Sequence, residues 1–365
     1  MVGELYPEGG ARRDSGFYIF YMGINIGSFL GQAIVSFVAE KVNWHLGFGL
    51  AAVGMLIGLI QYRMRGASLG DIGTRPNVKE DSTSVDSGRS NKLIIVFLLF
   101  IVLYLTGLNY FGVIDLFTAT GIAKGVGIII VSITLIYFFY ILLFGGLTKE
   151  EKKKVLVILF LFIGAALFWA GYEQHGSSFN LFARDFTDRM VLGFEFPAGS
   201  IQSLSPAFVI LLAPLFGALW IRLAAKGMNP STPVKFGLAL IAMALGFVVM
   251  YFAALMVTQG QKPSIIWLVL TYFLHSSGEM ALSPVGLSAT TKLAPKRYVG
   301  QMMGVWFVGS SLGNLLAGLY AGGFDPSNAH EVPGLFLSVV KFGAAGGILF
   351  LVLSPVLKKW MGNVK

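Results

Sequence analysis

Glu279 is the residue best placed for chemistry, because it lies near the middle of an apolar stretch, 264–290, that is long enough to span a membrane. An unpaired carboxylate at that depth costs at least about 2.5–3.5 kcal/mol on insertion scales. The same helical face carries further polar residues: Tyr272, Ser276 and Ser283, with His275 at its edge. Because burial disfavours a charged carboxyl group, Glu279 is predicted to pair with a cation or to carry a proton, the alternative being a structural hydrogen bond.

Two tryptophans each precede a polar residue by four positions, a spacing that puts both side chains on one helix face. Trp169 precedes Glu173, and Trp306 precedes Ser310. Each pair predicts an aromatic wall beside a polar group, although a tryptophan alone more often packs against neighbours or lies at the membrane interface. The meaning of Glu173 depends on its depth, since a carboxylate at the outer end of a span costs little.

The first apolar stretch, 16–39, has two different faces when drawn as a helix. Gly23, Gly27 and Gly31 fall within about 80° of one another. The opposite face carries six polar residues: Tyr18, Tyr21, Asn25, Ser28, Gln32 and Ser36. The glycines permit close helix contact, and the polar stripe is predicted to line a solvent path or, alternatively, to hydrogen-bond neighbouring helices.

The elements that position these residues are predicted to be membrane helices. Hydrophobic residues make up 55% of the 365 and charged residues 12%, with a mean hydropathy of +0.74, whereas a soluble domain is about a quarter charged. Apolar stretches of about 20 residues cross roughly 30 Å of hydrocarbon as helices. Ten spans are predicted: 16–39, 44–62, 93–114, 122–147, 155–174, 203–221, 234–257, 264–290, 298–321 and 335–357. The fold class is therefore an all-α polytopic membrane protein.

The charge pattern predicts how these spans are oriented. The net charge is +9, but the basic residues are spread among the loops and form no stripe, which argues against a nucleic-acid partner. Counted from the N-terminal tail, the odd-numbered tails and loops hold 21 Lys and Arg and the even-numbered loops hold 5, when Lys124 and Lys235, at the beginnings of their spans, are counted with the preceding loops. By the positive-inside rule the odd-numbered segments, and so both termini, are predicted to be cytoplasmic.

Composition divides the chain into five parts. Residues 1–62 carry two spans, and the polar residues 63–92 are predicted to be a cytoplasmic linker. Residues 93–147 form an apolar two-span hairpin with few polar groups, which indicates peripheral packing. A charged linker, 148–154, precedes a six-span block, 155–365, and six-helix blocks are the unit of the large secondary-transporter fold with two repeated halves.

Common catalytic chemistries lack their motifs in this sequence. Cysteine is absent, which excludes disulfides and thiolate metal sites, and the four scattered histidines have no metal-ligand spacing. The sequence contains neither a phosphate-binding glycine loop with a lysine nor a nucleophile elbow. No catalytic residue, cofactor or metal is therefore predicted, and the protein is expected not to be an enzyme.

Four segments of the chain carry recognisable motifs: LYPEGGARRDSGFYIFYMGINIGSFLG (5–31), FWAGYEQHGSSFNLF (168–182), QSLSPAFVILLAPLF (202–216) and GEMALSPVGLSATTKLAPKRYVGQMMGVWF (278–307). Together they resemble the proton-dependent oligopeptide transporters, a branch of the major facilitator superfamily. The first span matches the family's fifth helix, and the apolar hairpin matches the extra helix pair that bacterial members carry between their halves. The resemblance implies a partial major facilitator superfamily fold with ten transmembrane helices.

The resemblance implies proton-coupled symport of di- and tripeptides by alternating access, in a bacterial inner membrane. Eight residues match the family's peptide pocket: Asn25, Trp169, Glu173, Ser205, Glu279, Ser283, Trp306 and Ser310. Glu279 with Ser283 matches the pair that engages the peptide amino terminus, and Glu279 and Glu173 are the implied proton-coupling groups. Ser205 stands where many members have a peptide-binding asparagine, so affinity or side-chain preference is expected to differ.

The resemblance also implies four family helices ahead of this chain, with an E-x-x-E-R motif and a lysine that pairs with the carboxylate matching Glu279. We therefore expect a truncated transporter whose 365-residue chain shows no peptide transport by itself. Two alternatives stay open: a family member that moves another small molecule, and a non-transporting membrane fragment or interaction subunit. Peptides, protons and the lipid bilayer are the expected partners, and the oligomeric state is left open.

Overall fold

The computed structural model describes residues 10–70 and 87–362, with side chains described at 22–70, at 96 and from 99 onward. The side chains of Tyr18 and Tyr21, on the predicted polar stripe, lie outside that described part, as does most of the predicted linker. The longer helices are α1 Gly10–Lys41, α2 Trp44–Met64, α3 Ser87–Tyr110, α4 Ala119–Phe144, α5 Lys149–Tyr172, α8 Leu204–Ala225, α9 Thr232–Thr258, α10 Ile266–Leu293, α11 Val299–Ala321 and α12 Val332–Met361.

Each predicted span coincides with one of these helices, and the all-α membrane fold class is confirmed. Within the described residues, eight helices are long and apolar enough to cross a membrane. They include neither α3, of which only Leu99–Tyr110 contributes as an apolar helix, nor α10. The polar side chains of 275–279 lower the hydropathy of α10. The protein is a multi-pass membrane protein, while the number of ten spans stays a prediction.

The chain divides into two compact units. The smaller consists of residues 1–24 and 50–129, and within it Asn109 closes the turn after α3 by accepting a hydrogen bond from the backbone N–H of Leu116 at 2.8 Å. The larger consists of residues 25–49 and 130–365 and contains all eight residues matched to the pocket. The five-part division made from composition stays a prediction.

The larger unit has its core where α9 packs against α10 and α12, and where α5 packs against α11. Helix backbones meet directly at Gly237 of α9 and Gly347 of α12, since a Cβ added to either would lie 3.0 Å from the carbonyl oxygen of the other. Rings of Phe236, Phe247 and Phe336 fill the space between these helices and are fully buried. The packing holds α5, α9 and α10 at fixed separations, which positions the polar groups described below.

The beginning of α5 differs from the predicted linker 148–154. Thr148 caps this helix: its Oγ1 accepts from the backbone N–H of Glu151 at 3.2 Å, and the Glu151 carboxylate accepts from the Thr148 N–H at 2.8 Å. This reciprocal capping satisfies two backbone donors that the first helical turn leaves unpaired. Residues 149–154 are therefore helical, because charged residues after a good cap extend the helix beyond its apolar part.

Short elements connect α5 to α8, and the sequence patterns did not predict them. A 3₁₀ turn, Glu173–Gly176, leads into α6, Ser178–Asp185, and a two-stranded antiparallel hairpin follows. The strands β1 Met190–Val191 and β2 Phe194–Glu195 are joined by Leu192 and Gly193, both at positive φ, which suits the twist of a tight hairpin. A single turn, α7 Ala198–Ile201, completes the connection.

Candidate functional site

Glu279 lies on α10 and is partly buried, and its carboxylate is held by a hydroxyl group from another helix. The Tyr172 hydroxyl, at the end of α5, donates a short hydrogen bond to Glu279 Oε2. Among the described residues Glu279 takes part in no ion pair. The sequence left a cation, a proton or a structural hydrogen bond open for this carboxylate, and in this structure its partner is a neutral hydroxyl.

The hydrogen bonding continues from Tyr172 to two serines. Ser205 Oγ on α8 lies 2.6 Å from Tyr172 Oη, and Ser276 Oγ on α10 lies 3.4 Å from Ser205 Oγ. Ser276 also donates to the Ser205 carbonyl oxygen at 3.3 Å. A hydroxyl has one proton, so if Tyr172 donates to Glu279, Ser205 must donate to Tyr172. We call these four residues the hydroxyl chain; it links α5, α8 and α10 and ends on Glu279.

A pair of buried histidines packs beside the hydroxyl chain. His275 is fully buried and His175 is 7% exposed. His275 Nε2 lies 3.0 Å from the carbonyl oxygen of Met243, which can only accept, so this nitrogen carries the proton. In the neutral ring Nδ1 is then the acceptor, and it lies 2.9 Å from His175 Nε2, which must donate. His275 is therefore satisfied as a neutral Nε2-protonated imidazole, and His175 donates to it through Nε2.

Tyr172 is fixed by the rings around it. Its ring centroid lies 4.4 Å from that of His175, and it packs edge-on to Trp169 at 5.1 Å and stacks on Phe168 at 5.5 Å. Trp169 lies three residues before Tyr172 on α5, which puts both rings on one face of the helix. In this structure the aromatic residue that contacts a carboxylate is Tyr172, at Glu279, while an aromatic wall of Trp169 beside Glu173 stays a prediction.

Two polar atoms near these groups are buried and lack a partner among the described residues: Trp169 Nε1 and Ser283 Oγ. Ser283 follows Glu279 by one helical turn on α10. Buried polar groups in folded proteins are generally hydrogen-bonded, so an unpartnered donor and an unpartnered hydroxyl are available to a ligand. Within the described ranges no group of three or more His, Cys, Asp or Glu could hold a metal ion.

Glu173 occupies the end of α5, where it begins the 3₁₀ turn, and it is partly buried. With its amide nitrogen turned toward α5, Asn314 on α11 donates to Glu173 Oε1 at 3.3 Å and to the Ser310 carbonyl oxygen at 3.3 Å. The structure thus brings Glu173 and Ser310 together through Asn314. Glu173 directly follows α5 and has a neutral amide as partner, while its depth in the membrane stays a prediction.

The two remaining predicted residues are Trp306 and Asn25. Trp306 on α11 is 6% exposed and packs edge-on to Phe236 at 6.2 Å. A Cβ added to Gly286 of α10 would lie 2.1 Å from the Trp306 ring, so the indole fills the space that this glycine leaves. Asn25 is partly buried in the middle of α1, in the same unit. Roles for Trp306 and Asn25 in a pocket stay predictions.

Sequence reasoning missed three residues of this region: Tyr172, His175 and Asn314. A signal was present for the first two, because Tyr172, Glu173, Gln174 and His175 form a run of four polar residues at the end of an otherwise apolar stretch. Gln174 is fully buried and donates to the Ala170 carbonyl oxygen at 3.2 Å. Such a run inside a membrane helix indicates neighbours that supply hydrogen bonds.

Comparisons with known proteins agree with this architecture. The model of the POT family matches residues 1–332. A peptide transporter of Yersinia enterocolitica is 38% identical over 378 aligned positions, covering 100% of this chain and 72% of the relative. A di-/tripeptide transporter of Lactococcus lactis is 33% identical, covering 100% of this chain and 73% of the relative.

Solved structures are similar as well. A peptide transporter POT in complex with sulfate has a TM-score of 0.86 at 35% identity, over 99% of this chain and 72% of that one. A POT family transporter in complex with 5-aminolevulinic acid has a TM-score of 0.83 at 29% identity, over 98% of this chain and 72% of that one. The resemblance seen in the motifs is confirmed, and this chain belongs to the POT family of transporters.

Proposed function

We propose that this chain works in proton-coupled symport of di- and tripeptides by alternating access, in the bacterial inner membrane with both termini cytoplasmic. The observation that carries the proposal is Glu279, a carboxyl group inside a helix bundle whose partner among the described residues is a hydroxyl and not a cation. Peptide transport by the Yersinia and Lactococcus relatives supports the substrate class. The charge asymmetry of the loops supports the orientation.

The geometry suits a group that exchanges a proton for an ammonium. As a carboxylate, Glu279 attracts the protonated amino terminus of a peptide, and Ser283 Oγ, one turn away, can accept a second ammonium hydrogen. Trp169 Nε1 can donate to a peptide carbonyl or carboxylate oxygen, while its ring packs against a side chain. When the ammonium binds, Glu279 gives up its proton, and Glu173, the other implied proton-coupling carboxyl, can take that proton within the same site. The proton and the peptide then cross together, as symport requires.

Transport is tested by uptake of a radiolabelled dipeptide into proteoliposomes under an inward proton gradient. Two proteins are compared: this chain alone, and a chimera of the Yersinia transporter in which this chain replaces the matching region. In the chimera, Glu279→Gln should abolish gradient-driven accumulation without changing membrane insertion, because an amide cannot exchange the proton. Glu331→Gln, which neutralises an exposed carboxylate before α12, serves as the matched control. Undiminished driven uptake by Glu279→Gln would refute the assignment.

Competition defines the substrate class. Unlabelled di- and tripeptides should inhibit uptake of the reporter dipeptide, whereas free amino acids and longer peptides should not. Inhibition by a different class of small molecule, without inhibition by peptides, would favour a family member with another substrate. Saturable, gradient-dependent uptake by the 365-residue chain alone would contradict the expectation that it needs further helices.

A further inference from the structure

We propose that Tyr172 is the positioning residue for the proton-coupling carboxylate Glu279, and that Ser205 acts through Tyr172 instead of contacting the peptide. The inference rests on the proposed function for its transport readouts, but the contact itself can be measured without transport. Tyr172 Oη is the only hydroxyl of the described residues that donates to Glu279, and Ser205 Oγ lies 2.6 Å behind it. Ser205 is 6% exposed, which leaves little of it for a ligand.

The hydroxyl chain can serve both protonation states of Glu279 without moving a heavy atom. When Glu279 is a carboxylate, Tyr172 donates to it and Ser205 donates to Tyr172. When Glu279 carries a proton, its own O–H donates to Tyr172 Oη, and the Tyr172 proton turns toward Ser205 Oγ. Ser205 then donates to Ser276 Oγ, which can accept because its own proton is directed to the Ser205 carbonyl oxygen. Only hydroxyl hydrogens reorient, and the proton on Glu279 comes from the transport path.

A hydroxyl partner differs from a cationic one because its hydrogen bond to Glu279 can reverse direction. A lysine or arginine side chain is a donor only, so it stabilises the carboxylate and leaves the protonated form without a matching acceptor. A tyrosine hydroxyl donates or accepts and therefore favours neither state strongly. We infer that Tyr172 keeps both forms of Glu279 accessible, which a group that must load and release a proton in each cycle requires.

The rings around Tyr172 hold its side chain in place. His275 uses Nε2 on the Met243 carbonyl oxygen and Nδ1 on His175 Nε2, and the His175 ring packs against the Tyr172 ring. Among the described residues, the titratable groups around the hydroxyl chain include these two histidines, Tyr272 and Glu173, whose carboxylate accepts a hydrogen bond from Asn314. Packing thus orients the Tyr172 ring, and its hydroxyl is hydrogen-bonded to Ser205 and Glu279.

The transport test uses Tyr172→Phe in the chimera, which contains the full chain. Gradient-driven accumulation should fall about tenfold or more, the order expected for a lost hydrogen bond to a charged group. Peptide counterflow, which requires binding and alternating access but no net proton movement, should fall by a clearly smaller factor than driven accumulation, since the aromatic packing is kept. Tyr137→Phe is the matched control, because it deletes a tyrosine hydrogen bond to Gln301 Oε1 (3.0 Å) away from the site.

Ser205→Ala separates action through Tyr172 from direct peptide contact. If Ser205 acts through Tyr172, its loss should reduce driven accumulation by about two- to threefold, and should have no further effect in the Tyr172→Phe background. If Ser205 binds peptide, Ser205→Ala should raise the KM for counterflow and do so equally in both backgrounds. The second result would overturn this part of the proposal. Ser277→Ala, whose hydroxyl bonds only the Phe273 carbonyl oxygen at 2.8 Å among the described contacts, is the control.

An infrared measurement on the 365-residue chain in lipid tests the contact independently. The antisymmetric carboxylate stretching band of Glu279 is identified by its loss in Glu279→Gln. Tyr172→Phe should shift that band, because Oε2 loses the hydrogen bond that Tyr172 donates to the carboxylate, and Tyr137→Phe should leave it unchanged. An unmoved band in Tyr172→Phe overturns the proposal. If the band moves while Glu279→Gln retains driven uptake, the contact stands and the proposed function fails.

Discussion

Two glutamates of the larger unit are stabilised in opposite ways. Glu279, inside α10, is served by a hydroxyl that can reverse its direction. Glu40, at the end of α1, accepts from the backbone N–H groups of Ala198 at 3.0 Å and Gly199 at 2.7 Å. Backbone N–H groups can only donate, so these two hydrogen bonds cannot reverse their direction. The first arrangement suits a group that changes its protonation state, and the second suits a fixed attachment of α1 to the α7 turn.

The surroundings of Glu40 add fixed charges to this arrangement. Arg189 lies 3.9 Å from Glu40 and donates to Glu195 Oε1 at 2.9 Å, and Lys41 donates to Glu195 Oε2 at 3.2 Å. We call these four residues the Glu40 cluster. A Cβ on Gly199 would lie 2.7 Å from Ser36 Oγ, so α1 approaches the α7 turn closely enough that only glycine fits. The cluster is therefore a static attachment, in contrast to the hydroxyl chain.

The largest loss of stability is expected when the packing that positions the hydroxyl chain is disturbed. A Cβ added to Gly313 of α11 would lie 2.4 Å from Trp169 Cβ and 2.9 Å from the Ala166 carbonyl oxygen. Gly313→Leu should therefore destabilise the chain by about 3 kcal/mol or more, because backbone atoms cannot move aside. Thermal unfolding in detergent measures the loss. Gly304→Leu, on the open face of α11, is the control and should change little.

Removing one buried histidine should have the next largest effect. His275→Ala leaves a cavity and deprives the His175 Nε2–H of its acceptor, for a loss of about 2–4 kcal/mol. The exposed His45→Ala serves as the control in the same unfolding assay. Equal melting temperatures for the two variants would mean that the histidine pair does not hold the 3₁₀ turn after α5 against α10.

Glu40→Gln tests the attachment that Glu40 makes to backbone N–H groups. The amide keeps one acceptor oxygen, so one of the two backbone N–H groups loses its partner and the charge is gone. Because the Glu40 side chain is 25% exposed, we expect a loss of about 1–2 kcal/mol, less than for a buried group. The loss should persist at high salt, since hydrogen bonds to backbone groups are not screened as ion pairs are. Complete rescue by salt would show that charge alone attaches α1.

The helices could be predicted from the sequence because their signal is local. An apolar run of sufficient length must be a helix in a membrane, and each predicted span coincides with one. Glu279 could also be singled out from the sequence, since a lone carboxylate in an apolar run is costly and therefore rare. The short elements between α5 and α8 could not be predicted, because they depend on contacts with α1, such as the one at Gly199, and not on any local period.

The partner of Tyr172 could not be predicted from the pattern of residues within its own helix. Tyr172 is 107 positions from Glu279, and its neighbours on α5 do not indicate which helix its hydroxyl faces. Tyr272 shows the converse: it shares the face of Glu279, but seven residues rise about 10 Å along a helix. Its ring accordingly packs on His175, at 4.4 Å, and not beside the carboxylate. Spacing predicts faces, while partners depend on how helices pack.

The smallest effect is expected for the exposed pair of the Glu40 cluster, Lys41 and Glu195. The hydrogen bond from Lys41, followed by the charge of Arg189, lowers the pKa of Glu195 below its ordinary range. A lowered pKa in the folded state contributes stability that is present above the ordinary glutamate pKa and is lost as the pH falls through the folded value. The side chains of Lys41 and Glu195 are 33% and 48% exposed, so solvent screens the pair.

Lys41→Met should therefore leave the melting temperature unchanged at physiological salt and lower it slightly at low salt and neutral pH. The low-salt difference should vanish in acid, where Glu195 is protonated in both proteins and the pair contributes nothing. Unfolding scans at two salt concentrations and two pH values give the four comparisons, with Lys153→Met, which removes the exposed pair with Glu150, as the control. A lowered melting temperature that persisted at high salt would mean that Lys41, like the backbone hydrogen bonds of Glu40, stabilises the protein in a way that salt does not screen. The cluster would then depend on its charges as well as on backbone donors.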